Sequence, residues 1–184
     1  DKGIIFKPTD QSFDCYADAD FSGNWKREGA NGDRDTARSR TGFIIFYAGC
    51  PLIWASRLQT MIALSTTEAE YIALSTSLRE VIPLMGMIRE LKERGFNCTA
   101  VNPQVHCKVF EDNSGALEIA TVHKFRPRTK HINVQYHHFR EHIDNGDITI
   151  HPIKSEDQVA DIFTKQSTTK LFNTHRELIM QWRD

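Results

Sequence analysis

The sequence predicts an α/β fold: a mixed five-stranded sheet, three antiparallel strands followed by two parallel ones, flanked by helices. Three observations carry this. Residues 13–18 alternate apolar and polar, and two Ile/Phe/Trp-rich runs at 42–47 and 51–56 flank the turn Ala48-Gly49, which reads as one strand followed by a hairpin. A long stripe then places Leu74, Leu78, Ile82, Met85, Ile88 and Leu91 three or four residues apart, as the buried face of one helix requires. Beyond it, short strand patterns at 106–111 and 148–152 alternate with helical segments, an order that favours adding parallel strands to the sheet.

The elements follow in order. The first strand ends near Asp18, and the polar, Gly-rich stretch 22–40 reads as a long loop before the hairpin. Ser65-Thr66-Thr67-Glu68 is a capping-box pattern that opens the long helix. Pro83 is expected to kink or break that helix, because it lacks an N–H and its ring crowds the preceding turn, and Gly95 is expected to stop it. The fourth strand runs into Asp112, with Asn113 or Ser114 capping a short helix to about Thr121. Residues 136–145 read as helical, Asn145-Gly146-Asp147 as a turn, and 148–152 as the last strand. Ser155-x-x-Gln158 reads as a second capping box, opening a helix with Val159, Ile162 and Phe163. A final amphipathic helix from about Thr169 is expected to bury Leu171, Phe172, His175, Leu178 and Trp182. Without repeats, low-complexity tracts or linkers, the chain reads as a single domain over residues 1–184, with a core over 13–166 and a closing helix over 167–184.

Composition excludes several classes. With 184 residues, 40% hydrophobic and 26% charged, the chain is neither disordered nor fibrous. No apolar run approaches the roughly 20 residues that span a bilayer, so no membrane partner is expected. The N-terminus has no signal-peptide pattern and no initiator Met, which reads as a piece of a longer product. Four scattered cysteines without a C-x-x-C pair argue against a disulfide framework or a Cys-based zinc site. A net charge of −1 argues against indiscriminate nucleic-acid binding, yet Lys124, Arg126, Arg128, Lys130 and Arg140 cluster with five histidines against the single acid Glu141. Such a local strip suits a phosphate backbone.

The chemistry rests on four carboxylates at element boundaries. Asp18 ends the first strand, Glu70 lies in the first turn of the long helix, Asp112 ends the fourth strand, and Asp161 sits among apolar neighbours. Four such groups converging from separate elements repel one another, and divalent cations relieve that. An all-oxygen set selects magnesium or manganese over zinc.

The segments CYADADF (15–21), ALSTTEAEYIAL (63–74), VFEDNSGAL (109–117), RTKHI (128–132) and EDQVADIFTK (156–165), in that order and spacing, resemble the ribonuclease H domain of copia-type retrotransposon polyproteins. The resemblance spans residues 14–165. It implies a ribonuclease H-like fold and an enzyme that cuts the RNA strand of RNA–DNA hybrids during reverse transcription. It also implies two magnesium ions, for which manganese can substitute, held by Asp18, Glu70, Asp112 and Asp161. In such a site the ions would supply an activated water and stabilisation of the leaving oxygen. The implied partners are the hybrid and the adjoining reverse transcriptase domain, with no organic cofactor, and the implied setting is a cytoplasmic virus-like particle.

Alternatives stand beside these assignments. Asp20 shares a strand face with Asp18 and competes for its role. Glu68 is explained by its capping box and lies about 200° around the helix from Glu70. Glu111 is expected to face the opposite side of its strand from the site. Arg128, Lys130 and His131 are the expected nucleic-acid contacts, with a solvated loop as the plain reading. Asn113 reads equally as a donor to a ribose 2′-hydroxyl and as a helix cap. His138 and His142, one turn apart, read as solvated or stacking rather than ligating, and His151 receives no role. Trp25, Trp54 and Trp182 read as packing residues. An integrase-type transferase requires a helical Glu well downstream of its second Asp, but the matching position is Asp147, in a turn. A catalytically inactive, domesticated binding module remains as the alternative; its simplest signature, a lost carboxylate, is absent.

Overall fold

A computed structural model of the chain describes residues 3–9, 12–26, 34–98, 105–122 and 137–182. Five strands form one sheet: β1 (Phe13–Asp20), β2 (Arg40–Tyr47), β3 (Cys50–Leu58), β4 (Cys107–Glu111) and β5 (Ile148–Pro152), in the spatial order β3-β2-β1-β4-β5. β1, β2 and β3 pair antiparallel, whereas β4 joins β1 in parallel and β5 joins β4 in parallel. The hairpin closes on Ala48 and Gly49, at φ +54° and +75°, whose left-handed backbone matches the twist of the flanking strands.

Strand alternation sends two sets of side chains to two faces. On one face Phe13, Cys15, Ala17 and Ala19 of β1 join Cys107 and Val109 of β4 in the larger core. There they pack against Tyr71, Leu74, Leu78, Val81 and Met85 of helix α1 (Thr66–Glu93) and against Ala116 and Ala120 of helix α2 (Ser114–Thr121). On the other face Ile44 and Phe46 of β2 meet Val159 and Ile179, with Tyr16, Ile162 and Phe163 around them. This second layer comprises a 3-10 turn, Val159–Phe163, and the last helix α4 (Thr169–Met180); a short helix α3 (Arg140–Asp144) precedes β5.

Three local expectations are corrected. Helix α1 runs unbroken for 28 residues through Pro83. Both Pro83 and Arg79, whose carbonyl loses its i+4 donor, are exposed, so water can satisfy the freed group. The helix ends at Glu93 with Arg94 as its cap, where Gly95 and Phe96 donate to the carbonyls of Lys92 and Leu91 in a Schellman pair. In α4 only His175 and Ile179 are buried, with Leu171 half-buried in the same i, i+4 row; Phe172 and Leu178 are exposed. Apolar residues on that helix form two rows, and only one meets the sheet, while Phe172 and Trp182 instead flank the Arg176 guanidinium. Trp54 and Trp25, expected to pack in the core or against loops, are half exposed.

Candidate metal centre

Parallel pairing of β1 with β4 builds the site. Their register runs from Phe13 opposite Cys107 to Tyr16 opposite Phe110. Carried two residues further, it brings Asp18 level with Asp112, at the carboxyl ends of the two central strands. Asp18 shares the parity of Tyr16 and faces the second layer, while Glu70 enters from α1 on the opposite layer. The first turn of α1 is fixed by Ser65, whose hydroxyl accepts from Glu68 N–H at 3.1 Å, and by Glu68, whose carboxylate accepts from Leu64 N–H at 2.8 Å. That leaves Glu70, two residues on, turned toward the strands.

Asp18, Glu70 and Asp112 each offer an oxygen within 4.8 Å of the others, and among the described residues they form the one group with metal-ligand spacing. Asp20 is outside it: its carboxylate folds back over Gly23. Asp161 stands beside the three rather than among them. Its oxygen is 2.8 Å from Lys165 Nζ, which also lies 3.5 Å from Asp18. Close packing sets this approach, since a Cβ on Gly42 of β2 would come within 2.8 Å of Phe163 Cβ and closer still to Thr164.

Hydroxyls and an amide hold the acids in place. Thr164 donates to Asp18, and Ser155 donates to Asp112 at 2.7 Å. Gln158 is fully buried and clamps the layers together: its amide donates to the carbonyls of Ala17 (2.9 Å) and Phe110 (3.4 Å), and its oxygen accepts from Ala160 N–H (3.3 Å). Residues 155–158 therefore do not open an α-helix. They form a 3-10 turn, Ser155–Asp157, running into a second, because the Ser155 hydroxyl is spent on Asp112 and the Gln158 side chain on the strands. Sequence reading gave Ser155 and Gln158 only a capping role and passed over Thr164 and Lys165; the signal for a site role was their nearness to Asp161, in or beside the 156–165 segment.

A fifth carboxylate, Glu111, is also buried here. It faces the α1 layer, with Cys107 and Val109 and opposite to Phe110, so the expected side is correct; its isolation from the site is not. One oxygen accepts from Asn113 N–H at 3.0 Å, and the other has no hydrogen-bond partner. Asp18 and Glu111 are 1% exposed, Asp161 4% and Glu70 5%. Burial pushes the Glu70 carboxyl up to about 10, with the charges of Asp18, Glu111 and Asp112 adding to the shift. Burial also lifts Glu111 to about 8, opposed by its bond from Asn113 and reinforced by Asp112 and Asp18. Asp161 rises to about 6 through burial, although Lys165 counters it. Burial works against the Lys165 charge, but Asp161, Asp18 and Asp112 outweigh it and raise its pKa.

Such a cluster is costly as built: crowded, dehydrated carboxylates, with one Glu70 oxygen lacking any hydrogen-bond partner and one Asp18 oxygen met only by the Lys165 ammonium at 3.5 Å. A hard divalent cation fits this donor set, since the ligands are all carboxylate oxygens and the orphaned atoms point to a missing positive charge.

The other expected residues fall as follows. Asn113 caps α2, its oxygen accepting from Ala116 N–H at 3.0 Å and facing the Thr67 hydroxyl at 3.4 Å. Arg128, Lys130 and His131, with most of the basic strip, lie outside the described residues. Arg140 donates to the carbonyls of Ile119 and Val122, closing the end of α2. His142 pairs with Asp147 at 3.2 Å, and His138 lies 3.5 Å from the Ser75 hydroxyl. His151 meets the Thr149 hydroxyl at 2.8 Å and lies tilted against the Phe110 ring. The four cysteines are free, and among the described residues no helix is long and apolar enough to cross a membrane.

No protein-family profile matches the chain. It is 32% identical over 176 residues, 96% of its length, to the retrovirus-related Pol polyprotein from transposon TNT 1-94 of Nicotiana tabacum. It is 30% identical over 171 residues, 92% of its length, to the Pol polyprotein from transposon RE1 of Arabidopsis thaliana. The chain spans only 12% and 10% of these relatives. Among solved structures, a ribonuclease H1 isolated from compost by a metagenomic approach superposes with a TM-score of 0.53 at 18% identity, covering 89% of this chain and 97% of that one. The sheet order agrees with that fold. Sequence and architecture agree, and the chain belongs to the ribonuclease H domains of copia-type retrotransposon Pol polyproteins.

Proposed function

We propose that the chain is an endoribonuclease that hydrolyses the RNA strand of RNA–DNA hybrids, serving reverse transcription beside a reverse transcriptase domain of the same polyprotein. The observation that carries the reading is the convergence of Asp18, Glu70 and Asp112 from three elements, with a buried Glu70 oxygen that has no hydrogen-bond partner and Asp161 alongside. Asp18, Glu70, Asp112 and Asp161 would hold two divalent cations, magnesium first, with manganese able to substitute. When bound, the ions supply an activated water and charge stabilisation at the leaving oxygen. The protein's own part is positional. Thr164 and Ser155 orient Asp18 and Asp112, and Gln158 fixes the turn that presents Asp161.

Asn113 stands next to Asp112 with its oxygen committed to the α2 cap, which leaves its NH2 group for a ribose 2′-hydroxyl. Arg128, Lys130 and His131 are the proposed grip on the phosphate backbone. The reading also takes residues 1–184 as one domain and the cytoplasmic particle as its setting. The test is hybrid cleavage by wild type and Asp112→Asn, in magnesium and then manganese. The variant is expected to fold and to cleave at least about a hundredfold more slowly. Unimpaired cleavage would remove Asp112 from the mechanism. Tight hybrid binding without cleavage by wild type would favour the inactive binding module.

A further inference from the structure

Consecutive residues of one turn address the buried acids. Thr164 donates to Asp18, and Lys165 sets its ammonium 2.8 Å from Asp161 and 3.5 Å from Asp18. The backbone reinforces this, because Lys165 N–H bonds the Asp161 carbonyl at 3.1 Å. Most ion pairs between exposed groups contribute little, but the two acids here are almost wholly buried while the lysine is 42% exposed. The lysine thus reaches inward from an open flank. No other described basic residue forms an ion pair with any of the four acids.

We propose that Lys165 is a tethered counter-cation of the site: its ammonium holds Asp18 and Asp161 together before a divalent ion binds, and gives up that position when one does. The inference rests on the reading that these carboxylates take metal. It follows from occupancy, since an ammonium and a cation compete for the same two oxygens and cannot both be close to them without repulsion. The exposed flank gives the lysine a way out, and its charge is then free beside the site for a substrate phosphate. The pairing also explains why Asp161 stands off from the ligand group formed by the other three acids.

Competition of this kind is reciprocal, so removing the lysine must tighten metal binding. The experiment is manganese binding to the purified chain without nucleic acid, measured by the loss of the free-ion electron paramagnetic resonance signal, for wild type, Lys165→Met and Lys165→Arg. Lys165→Met is expected to bind manganese roughly fivefold or more tightly than wild type. Its melting temperature without metal is expected to fall, and Lys165→Arg, which keeps the charge, to bind like wild type. Circular dichroism establishes that each variant is folded. Manganese bound equally by wild type and Lys165→Met overturns the proposal while leaving the metal site standing. No binding by either overturns both readings.

Discussion

Glu70 sits where burial and like charge act together. Burial and three neighbouring acids raise its carboxyl to about 10, so the metal-free protein holds a proton there that the unfolded chain releases near pH 4.5. A folded-state pKa above the unfolded one means the folded state binds more protons through that window. Stability is then full below about pH 4.5 and falls as pH rises through the folded values of Glu111 and Glu70. Thermal melts in chelator are therefore expected to drop steadily from pH 5 to pH 9, and added magnesium to reverse the drop by neutralising the cluster. Glu70→Gln removes the dominant member. At pH 9 without metal it is expected to melt higher than wild type by roughly 4 °C, about 1–2 kcal/mol, with the gap closing toward pH 4. A metal-free melting temperature independent of pH would show that these carboxylates are not crowded as described.

At the scale of elements, the site depends on a 3-10 turn seated against a strand. Gly42 lies near the start of β2, opposite Asp18 in register, and Phe163 and Thr164 fill the space its side chain would take. Gly42→Ala would force the turn outward, at a cost of about 1–3 kcal/mol. It is also expected to weaken metal binding, because Asp161, Thr164 and Lys165 move with the turn. Chemical denaturation and a manganese titration on one preparation check both halves. A variant of wild-type stability and affinity would mean the turn tolerates displacement. The sequence was legible here only in part. The strands and the capping of α1 follow from alternation and from Ser65 to Glu68, which are local signals. The turn at 155–163 imitates a capping box because Ser155 and Gln158 have the right spacing, yet both side chains are used by partners distant in sequence, Asp112, Ala17 and Phe110. Helical periodicity likewise cannot say which apolar row of α4 meets the sheet, nor that Pro83 lies where its freed carbonyl is solvated.

For the whole molecule, a net charge of −1 means that hybrid binding has to come from local rather than global charge. With Arg140 engaged on the end of α2, the proposed grip falls to Arg128 and Lys130. Replacing both with Ala is expected to weaken hybrid binding and to lower the slope of log affinity against log salt by about one per charge removed. An unchanged slope would move the grip elsewhere. The fold and the convergence of Asp18, Glu70 and Asp112 were legible because the parallel crossover from β1 to β4 is written in element order, and these acids sit near element ends. Glu111 and Lys165 were not legible, since their importance comes from burial and from reach across the layers. The account as a whole is tested most directly by incubating the chain with magnesium and an RNA–DNA hybrid labelled on each strand in turn. It predicts that only the RNA strand is cut, giving 5′-phosphate and 3′-hydroxyl ends. Cutting of the DNA strand, or equal cutting of duplex DNA, would contradict it.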